Sequence, residues 1–306
     1  MKVGSLFSGY GGLDMAVGGD LAWYAEVEPA AIKVMEAHHP GVPNLGDVTK
    51  VDWSQVEPVD VITGGYPCQP FSNAGKRKGK DDERHLWPYL HTAIRTVRPR
   101  FAFLENVAGH ISLGLADVLA DLASIGWDAE WGTLRAARVG APHNRNRLFI
   151  LAYPQGSERR EAQPSGVCAQ GSSQFGERTS AAANSNSDGY GGGQDSGAME
   201  PVAGGDAVKA SERKWSRTKP LSGVAWGRYS TAIRRWELIT DRVAPDPIAQ
   251  VGSKGIVNPV FVEWMMGLPE GWVTGHGLSA SQELKMLGNG VVPQQAALAL
   301  RLLGAA

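Results

Sequence analysis

Along the first half of the chain, short apolar runs alternate with stretches in which apolar residues recur every three or four positions. The short runs read as strands, and the longer period puts apolar side chains on one face of a helix. Strands are predicted at 2–7, 23–26, 59–63, 101–105 and 148–152, and helical segments at 13–18, 30–39 and 116–125. Strands alternating with helices need crossover connections, so the pattern predicts an α/β fold with a doubly wound parallel sheet. In such sheets ligands sit beyond the carboxyl ends of the strands. The loops at 9–12, 66–72 and 105–107 should therefore converge on one crevice.

The pattern breaks after Tyr153. From about 155 to 205 the chain is dense in Ser, Gly, Ala, Gln and Asn, with too few large apolar side chains for a packed core, and reads as a long flexible insertion. Tryptophans and arginines return in KWSRTKPLSGVAWGRYSTAIRRWELITDRVAPDP. There Trp215, Trp226, Tyr229 and Trp236 read as the small core of a folded unit rather than a base-stacking platform. In NPVFVEWMMGLPEGW, Trp264, Met265 and Met266 read as packing, with Asn258 and Pro259 forming a turn. An amphipathic helix is predicted at 293–303, positioned to pack back on the N-terminal sheet.

Composition narrows the class. The chain has 306 residues, 42% of them hydrophobic and 20% charged, enough for one large domain or two unequal ones. Two cysteines, Cys68 and Cys168, make no disulfide framework and favour a reducing setting. The glycine-rich start MKVGSLFSGYGG lacks the apolar stretch of a signal peptide, and no segment approaches about 18 uninterrupted apolar residues. Neither export nor membrane insertion is expected. The histidines His38, His39, His85, His91, His110, His143 and His276 show no ligand spacing with cysteine or carboxylate partners, so no metal is expected.

A net charge of −1 argues against coating nucleic acid through bulk charge but leaves room for local patches. Basic residues cluster at Lys76, Arg77, Lys78 and Lys80, at Lys209, Arg213, Lys214, Arg217 and Lys219, and at Arg228, Arg234 and Arg235. Each cluster taken singly also reads as a solvated loop.

The chemistry lies in the strand-end loops. FSGYGG after the first strand is either an ordinary tight turn or a nucleotide-binding one, since its glycines let the backbone approach a ligand. Glu26, at the end of the next strand, is placed to accept from a ribose, and Asp47 to reach an adenine amino group. Cys68 lies between two prolines in YPCQPFS, on a stiff loop just past a strand. A buried small hydrophobe is the ordinary reading of a cysteine, but that loop suits a nucleophile. Its thiolate needs electropositive surroundings, which Arg145, Arg147 and the lysines at 76–80 are candidates to supply. Glu105 ends an apolar strand, where partial desolvation would raise its pKa and let it share a proton with a substrate nitrogen.

The ordered set FSGYGG, AEVEP, GDV, GGYPCQPFS, DERHLW, ENV, PHNRNRLF, NPVFVEWMMGLPEGW and LGNGVVP resembles the DNA (cytosine-5-)methyltransferase family. It does so across roughly the first half and the last fifty residues. The resemblance implies a Rossmann-like S-adenosylmethionine-dependent methyltransferase domain with an inserted smaller target recognition domain. The catalytic domain would occupy 1–154, the recognition region 155–279, and a returning segment 280–306. Phe7, Gly9, Gly11, Glu26, Asp47 and Pro67 match cofactor positions, with Gly12, Leu13, Val27 and Val48 beside them, and Asn289 and Val291 match the C-terminal cofactor side. Cys68 matches the nucleophile and Glu105 the acid that engages the pyrimidine. Arg145 and Arg147 match the arginines that hold the flipped base and its backbone.

Three departures stand out: His143 opens the arginine motif where glutamine is usual, Gly290 stands where serine is common, and DERHLW is one residue tighter around Arg84 than in some members. None removes a catalytic group. Duplex DNA is the implied partner, with Gln69, Ser72, Lys76, Arg77, Lys78, Arg213, Lys214, Arg217, Arg228, Arg234 and Arg235 as candidate contacts. A monomer in the cytoplasm of a bacterial or phage-infected cell is expected. An RNA substrate, another sulfonium donor and a catalytically silent DNA-binding relative remain alternatives. Restriction protection, phage genome modification and regulation are all open as roles.

Overall fold

A computed structural model describes residues 1–67, 86–157, 224–251 and 254–304. Strand β1 (Lys2–Leu6) leads into helix α1 (Gly12–Val17), followed by β2 (Asp20–Ala25), α2 (Pro29–His38), β3 (Val61–Gly64), α3 (Trp87–Val97) and β4 (Phe101–Val107). Next come the short α4 (His110–Leu113), α5 (Leu115–Ser124), β5 (Trp127–Arg135) and β6 (Asn146–Pro154). The later described part holds α6 (Ser230–Thr240), the hairpin β7 (Ile248–Val251) and β8 (Lys254–Val257), then α7 (Pro259–Met265), α8 (Ala280–Asn289) and α9 (Pro293–Leu302).

The main sheet runs β2-β1-β3-β4-β6-β5. Its first four strands pair parallel, while β6 runs antiparallel to both β4 and β5. The α/β architecture is the one expected, but a wholly parallel sheet is corrected to a mixed one. An apolar-run search misses β5 because WDAEWGTLR is an edge strand with several half-exposed positions. It also misses α3, whose Pro88 sits in the first turn, where a missing N–H costs nothing. By contrast β3 is buried along its whole length and β4 from Ala102 to Asn106, the signature of sheet covered on both faces.

One core layer lies under α3 and α5, joining Leu6, Trp23, Ile62, Leu90, Ile94, Leu104, Leu122 and Ile150. On the other side α9 packs Ala296, Ala299 and Leu300 against Leu13, Phe103 and Phe149, so the C-terminal helix closes over β4 and β6. A third cluster joins Tyr10 and Val34 to Ile233, Trp236, Phe261, Trp264, Val273 and Leu287. Trp236 thus belongs to a core shared with the sheet domain rather than to a unit of its own. Trp226 stacks on Phe261, and Tyr229 is corrected from core to surface at 55% exposure. The turn expected at Asn258 and Pro259 is the start of α7: the Asn258 side chain accepts from the Val260 N–H at 3.1 Å, with Pro259 in the first turn. Trp264 and Met266 are buried as packing residues. Among the described residues no helix is long and apolar enough to cross a membrane.

Candidate active site

The carboxyl ends of β1, β2, β3 and β4 open onto a cavity of about 340 Å³. Phe7, Gly9, Tyr10, Gly12 and Leu13 line it from β1 and α1, Glu26 and Val27 from β2, Gly65 and Pro67 from β3, and Glu105 from β4. Asn289, Gly290 and Val291 reach the same cavity from the far end of the chain.

The turn after β1 needs unusual backbone. Gly9 and Gly11 have φ of 54° and 78°, which glycine adopts at little cost. Phe7 has φ of 54° without that freedom. Its conformation is held by its N–H, which donates to the Ala25 carbonyl at 3.0 Å. Glu26 braces the turn from the next strand: one carboxylate oxygen accepts from Gly9 N–H at 2.9 Å, the other from Val27 and Glu28 N–H at 2.8 and 2.9 Å. Beneath the turn, buried Asp14 accepts from Ser5 Oγ at 2.8 Å and from Thr63 Oγ1, and burial raises its carboxyl above the usual range. No motif singled out Asp14. Its only sequence signal is an acid on the inner face of an otherwise apolar helix.

Three of the expected cofactor residues stand apart from the cavity wall. Gly11 caps α1 behind the turn. Asp47 accepts from Thr49 N–H and Oγ1 at 3.0 and 2.7 Å, and Val48 is packed in the core.

The opposite end is built on the seam between the parallel and antiparallel strands. Glu105 pairs in register with Phe149, which brings Arg147 alongside. Arg147 Nε donates to Glu105 Oε1 at 2.8 Å. Burial pushes the Glu105 carboxyl up to about 7, against the opposing pull of Arg147 and Arg145. Near neutrality the group therefore exists in both forms, one able to donate a proton and one able to accept it. Asn106 ties this strand end to the Pro-Cys loop: its side-chain N–H donates to the Tyr66 carbonyl at 3.1 Å. Tyr66 shares a 2.9 Å hydrogen bond with His110, whose ring is held below its usual pKa by burial.

Arg145 Nη2 donates to the carbonyls of Gly288 and Gly290 at 2.8 and 2.6 Å. Buried Gln295 on α9 completes the joint, donating to the Leu134 and Arg145 carbonyls. His143, where the family has glutamine, makes a 3.1 Å contact with the Met265 carbonyl through Nε2, a bond an amide could also give. Glu263 of α7 is another unforeseen anchor, accepting from the N–H groups of Gly271, Val273 and Thr274 and from the Thr274 hydroxyl.

Of the candidate DNA contacts, Arg228 is exposed and lies over the Tyr229 ring. Arg234 pairs with Glu237 at 3.1 Å and Arg235 donates to the Gly140 carbonyl at 3.2 Å, so both are engaged inside the fold. Cys68, Gln69, Ser72, Lys76, Arg77, Lys78, Lys80, Arg84, Cys168, Lys209, Arg213, Lys214, Trp215, Arg217 and Lys219 lie outside the described residues, as does most of the 155–205 insertion. Among the described residues no group of three or more His, Cys, Asp or Glu side chains is arranged to hold a metal.

The profile of the family described as C-5 cytosine-specific DNA methylase matches residues 1–188, more than half of the chain. The chain belongs to that family. Among curated proteins, the Type II methyltransferase M.NgoBV of Neisseria gonorrhoeae is 29% identical over 171 residues, covering 49% of this chain and 40% of that protein. The orphan methyltransferase M.SPRI of Bacillus phage SPR is 35% identical over 164 residues, covering 49% and 37%. The chain thus spans well under half the length of these family members. Among solved structures, the S. pombe Dnmt2 methyltransferase superposes with a TM-score of 0.59 at 18% identity over 99% of both chains, a likeness of fold.

Proposed function

We propose that the chain transfers a methyl group from S-adenosylmethionine to carbon 5 of a cytosine extruded from duplex DNA, through a covalent adduct between Cys68 and carbon 6. The observation that carries this reading is the Glu105 carboxyl, raised to about 7 and gripped by Arg147 in a cavity whose other end is the Glu26-braced glycine turn. Cys68 is bonded directly to Pro67 of that cavity's wall.

The cavity suits the donor. Its volume falls in the range of small-molecule sites. Glu26 offers carboxylate oxygens toward ribose hydroxyls, and Phe7 and Val27 offer apolar surface for a purine. When bound, the donor supplies an electrophilic methyl on a sulfonium.

The protein's part is to make carbon 5 nucleophilic, which a cytosine ring alone is not. The Cys68 thiolate adds to carbon 6 while Glu105 delivers its proton to ring nitrogen 3, so the electron pair of the broken double bond becomes available at carbon 5. After methylation, loss of the carbon-5 proton expels the thiolate and restores the ring, and nitrogen 3 returns its proton to Glu105. Arg147 keeps the Glu105 carboxyl oriented throughout. Extrusion of the base costs a few kcal/mol, which contacts to the phosphates must offset. Arg228 and the basic clusters at 76–80 and 209–219 are the residues proposed for that work.

The test is transfer of a tritiated methyl group to duplex DNA by the full chain and by Cys68→Ser. Label should appear only with the intact thiol, and label that persists in the variant refutes the nucleophile. An equal amount of competing RNA should leave labelling of the DNA unchanged; preferential labelling of RNA replaces the substrate. On duplexes carrying 5-fluorocytosine a stable protein–DNA adduct should accumulate.

A further inference from the structure

Gly290 is a glycine without a backbone reason. Its φ of −75° is open to any residue, and serine is the common choice at the matching position of the family pattern. What excludes a side chain is a ring: a Cβ at 290 would lie 1.9 Å from Cε1 and 2.2 Å from Cζ of Tyr10, far inside contact distance. Tyr10 has little room to yield. It is 1% exposed, and the Trp272 indole N–H donates to its carbonyl at 2.8 Å.

The same tyrosine reaches one residue further. Its hydroxyl donates to the Val291 carbonyl at 2.6 Å, while Arg145 holds the carbonyls of Gly288 and Gly290. Segment 288–291 is therefore gripped through its backbone by a phenol and a guanidinium. Tyr10, Asn289, Gly290 and Val291 all line the one cavity.

We propose that Tyr10 is a positioning residue that sets the C-terminal wall of the donor cavity, and that Gly290 is its steric complement, so a side chain at 290 is tolerated only when the ring at 10 is removed. The ring fills the space a serine side chain would take, and the phenol fixes Val291 in the cavity wall. The identity of the ligand rests on the function proposed above; the coupling of the two residues does not.

A double-mutant cycle tests this on the full chain, read by thermal melting and by S-adenosylmethionine binding and turnover. Gly290→Ser should lower the melting temperature and raise the donor KM at least about tenfold, since overpacking a filled core costs stability. Tyr10→Leu combined with Gly290→Ser should recover a large part of both losses. Tyr10→Phe keeps the ring and removes one hydrogen bond, so the donor KM should rise about three- to tenfold with kcat at saturating donor and DNA affinity nearly unchanged. A Gly290→Ser protein that melts and binds donor like the parent overturns the proposal, as does a double variant whose losses are the sum of the single ones. Tyr10→Phe that lowers kcat and leaves KM alone overturns the positioning role. A parent chain that binds no donor overturns the reading of the cavity, while the melting cycle still decides the coupling.

Discussion

The two ends of the cavity are built on different principles. At the glycine-turn end, the bracing is local and made by backbone N–H groups: Glu26 reaches Gly9, Val27 and Glu28, all at neighbouring strand ends. At the Glu105 end, a buried carboxyl depends on Arg147 from a strand that runs the opposite way, and the arginine beside it is fastened to carbonyls 143 and 145 residues away in the chain. The first end stays polar, as suits a ligand held by hydrogen bonds. The second is dry enough to lift the Glu105 carboxyl to about 7, as the proposed giving and taking of a proton needs. On the function proposed above, binding and chemistry are separated along one crevice, and substitutions should separate them too.

The largest effect is expected from Glu105→Gln. It should cost about 10²–10⁴-fold in kcat, the range of a lost general acid, while donor affinity measured by calorimetry stays near that of the parent. A comparable loss of donor affinity would merge the two ends into one unit. Next, Glu26→Ala removes an acceptor from three N–H groups and should raise the donor KM about 10–100-fold, with a smaller fall in kcat at saturating donor. A kcat effect that dominates would contradict the division.

The pH dependence sharpens the contrast. Folded Glu105 has a pKa of about 7 against an ordinary 4.5, so the folded chain binds the extra proton between those values and loses stability as pH rises through them. Glu105→Gln carries no such titration. Its melting temperature relative to the parent should therefore climb from pH 4.5 to above 7 and stay flat below 4.5. In the free enzyme the proton-donating form also disappears above about pH 7, so an alkaline fall in kcat/KM is expected in the parent. A parallel pair of melting curves would show that folding leaves the Glu105 pKa at its ordinary value.

The smallest effect belongs to the rim. Lys285 and Glu28 form a 3.0 Å ion pair between two well-exposed side chains. Lys285→Gln should change the melting temperature hardly at all, and a donor KM shift beyond about threefold would move Lys285 from the rim into the binding end.

Much of the binding end is legible in the sequence. FSGYGG and Glu26 lie within twenty residues and act through local backbone, so strand periodicity and glycine spacing suffice to bring them together. Asp47 is the exception: its position after a strand is readable, but its side chain is taken up by Thr49, a competition between local partners that spacing does not reveal. At the chemical end, Glu105 is legible as an acid closing an apolar strand, and its partner is not. Arg147 reaches it only because β6 reverses direction, and the edge strand that completes this reversal lacks a continuous apolar run.

The sequence by itself determines the layered α/β order, the glycine turn and the acids at the strand ends, because periodicity and turn chemistry act over short stretches of chain. Only the tertiary structure decides that Arg145 and Tyr10 clamp the C-terminal segment, that Gly290 is a glycine for the sake of a distant ring, and that Glu105 is both dried and paired. Those facts are desolvation and contact between residues far apart in the chain, and such quantities exist only once the chain has closed on itself.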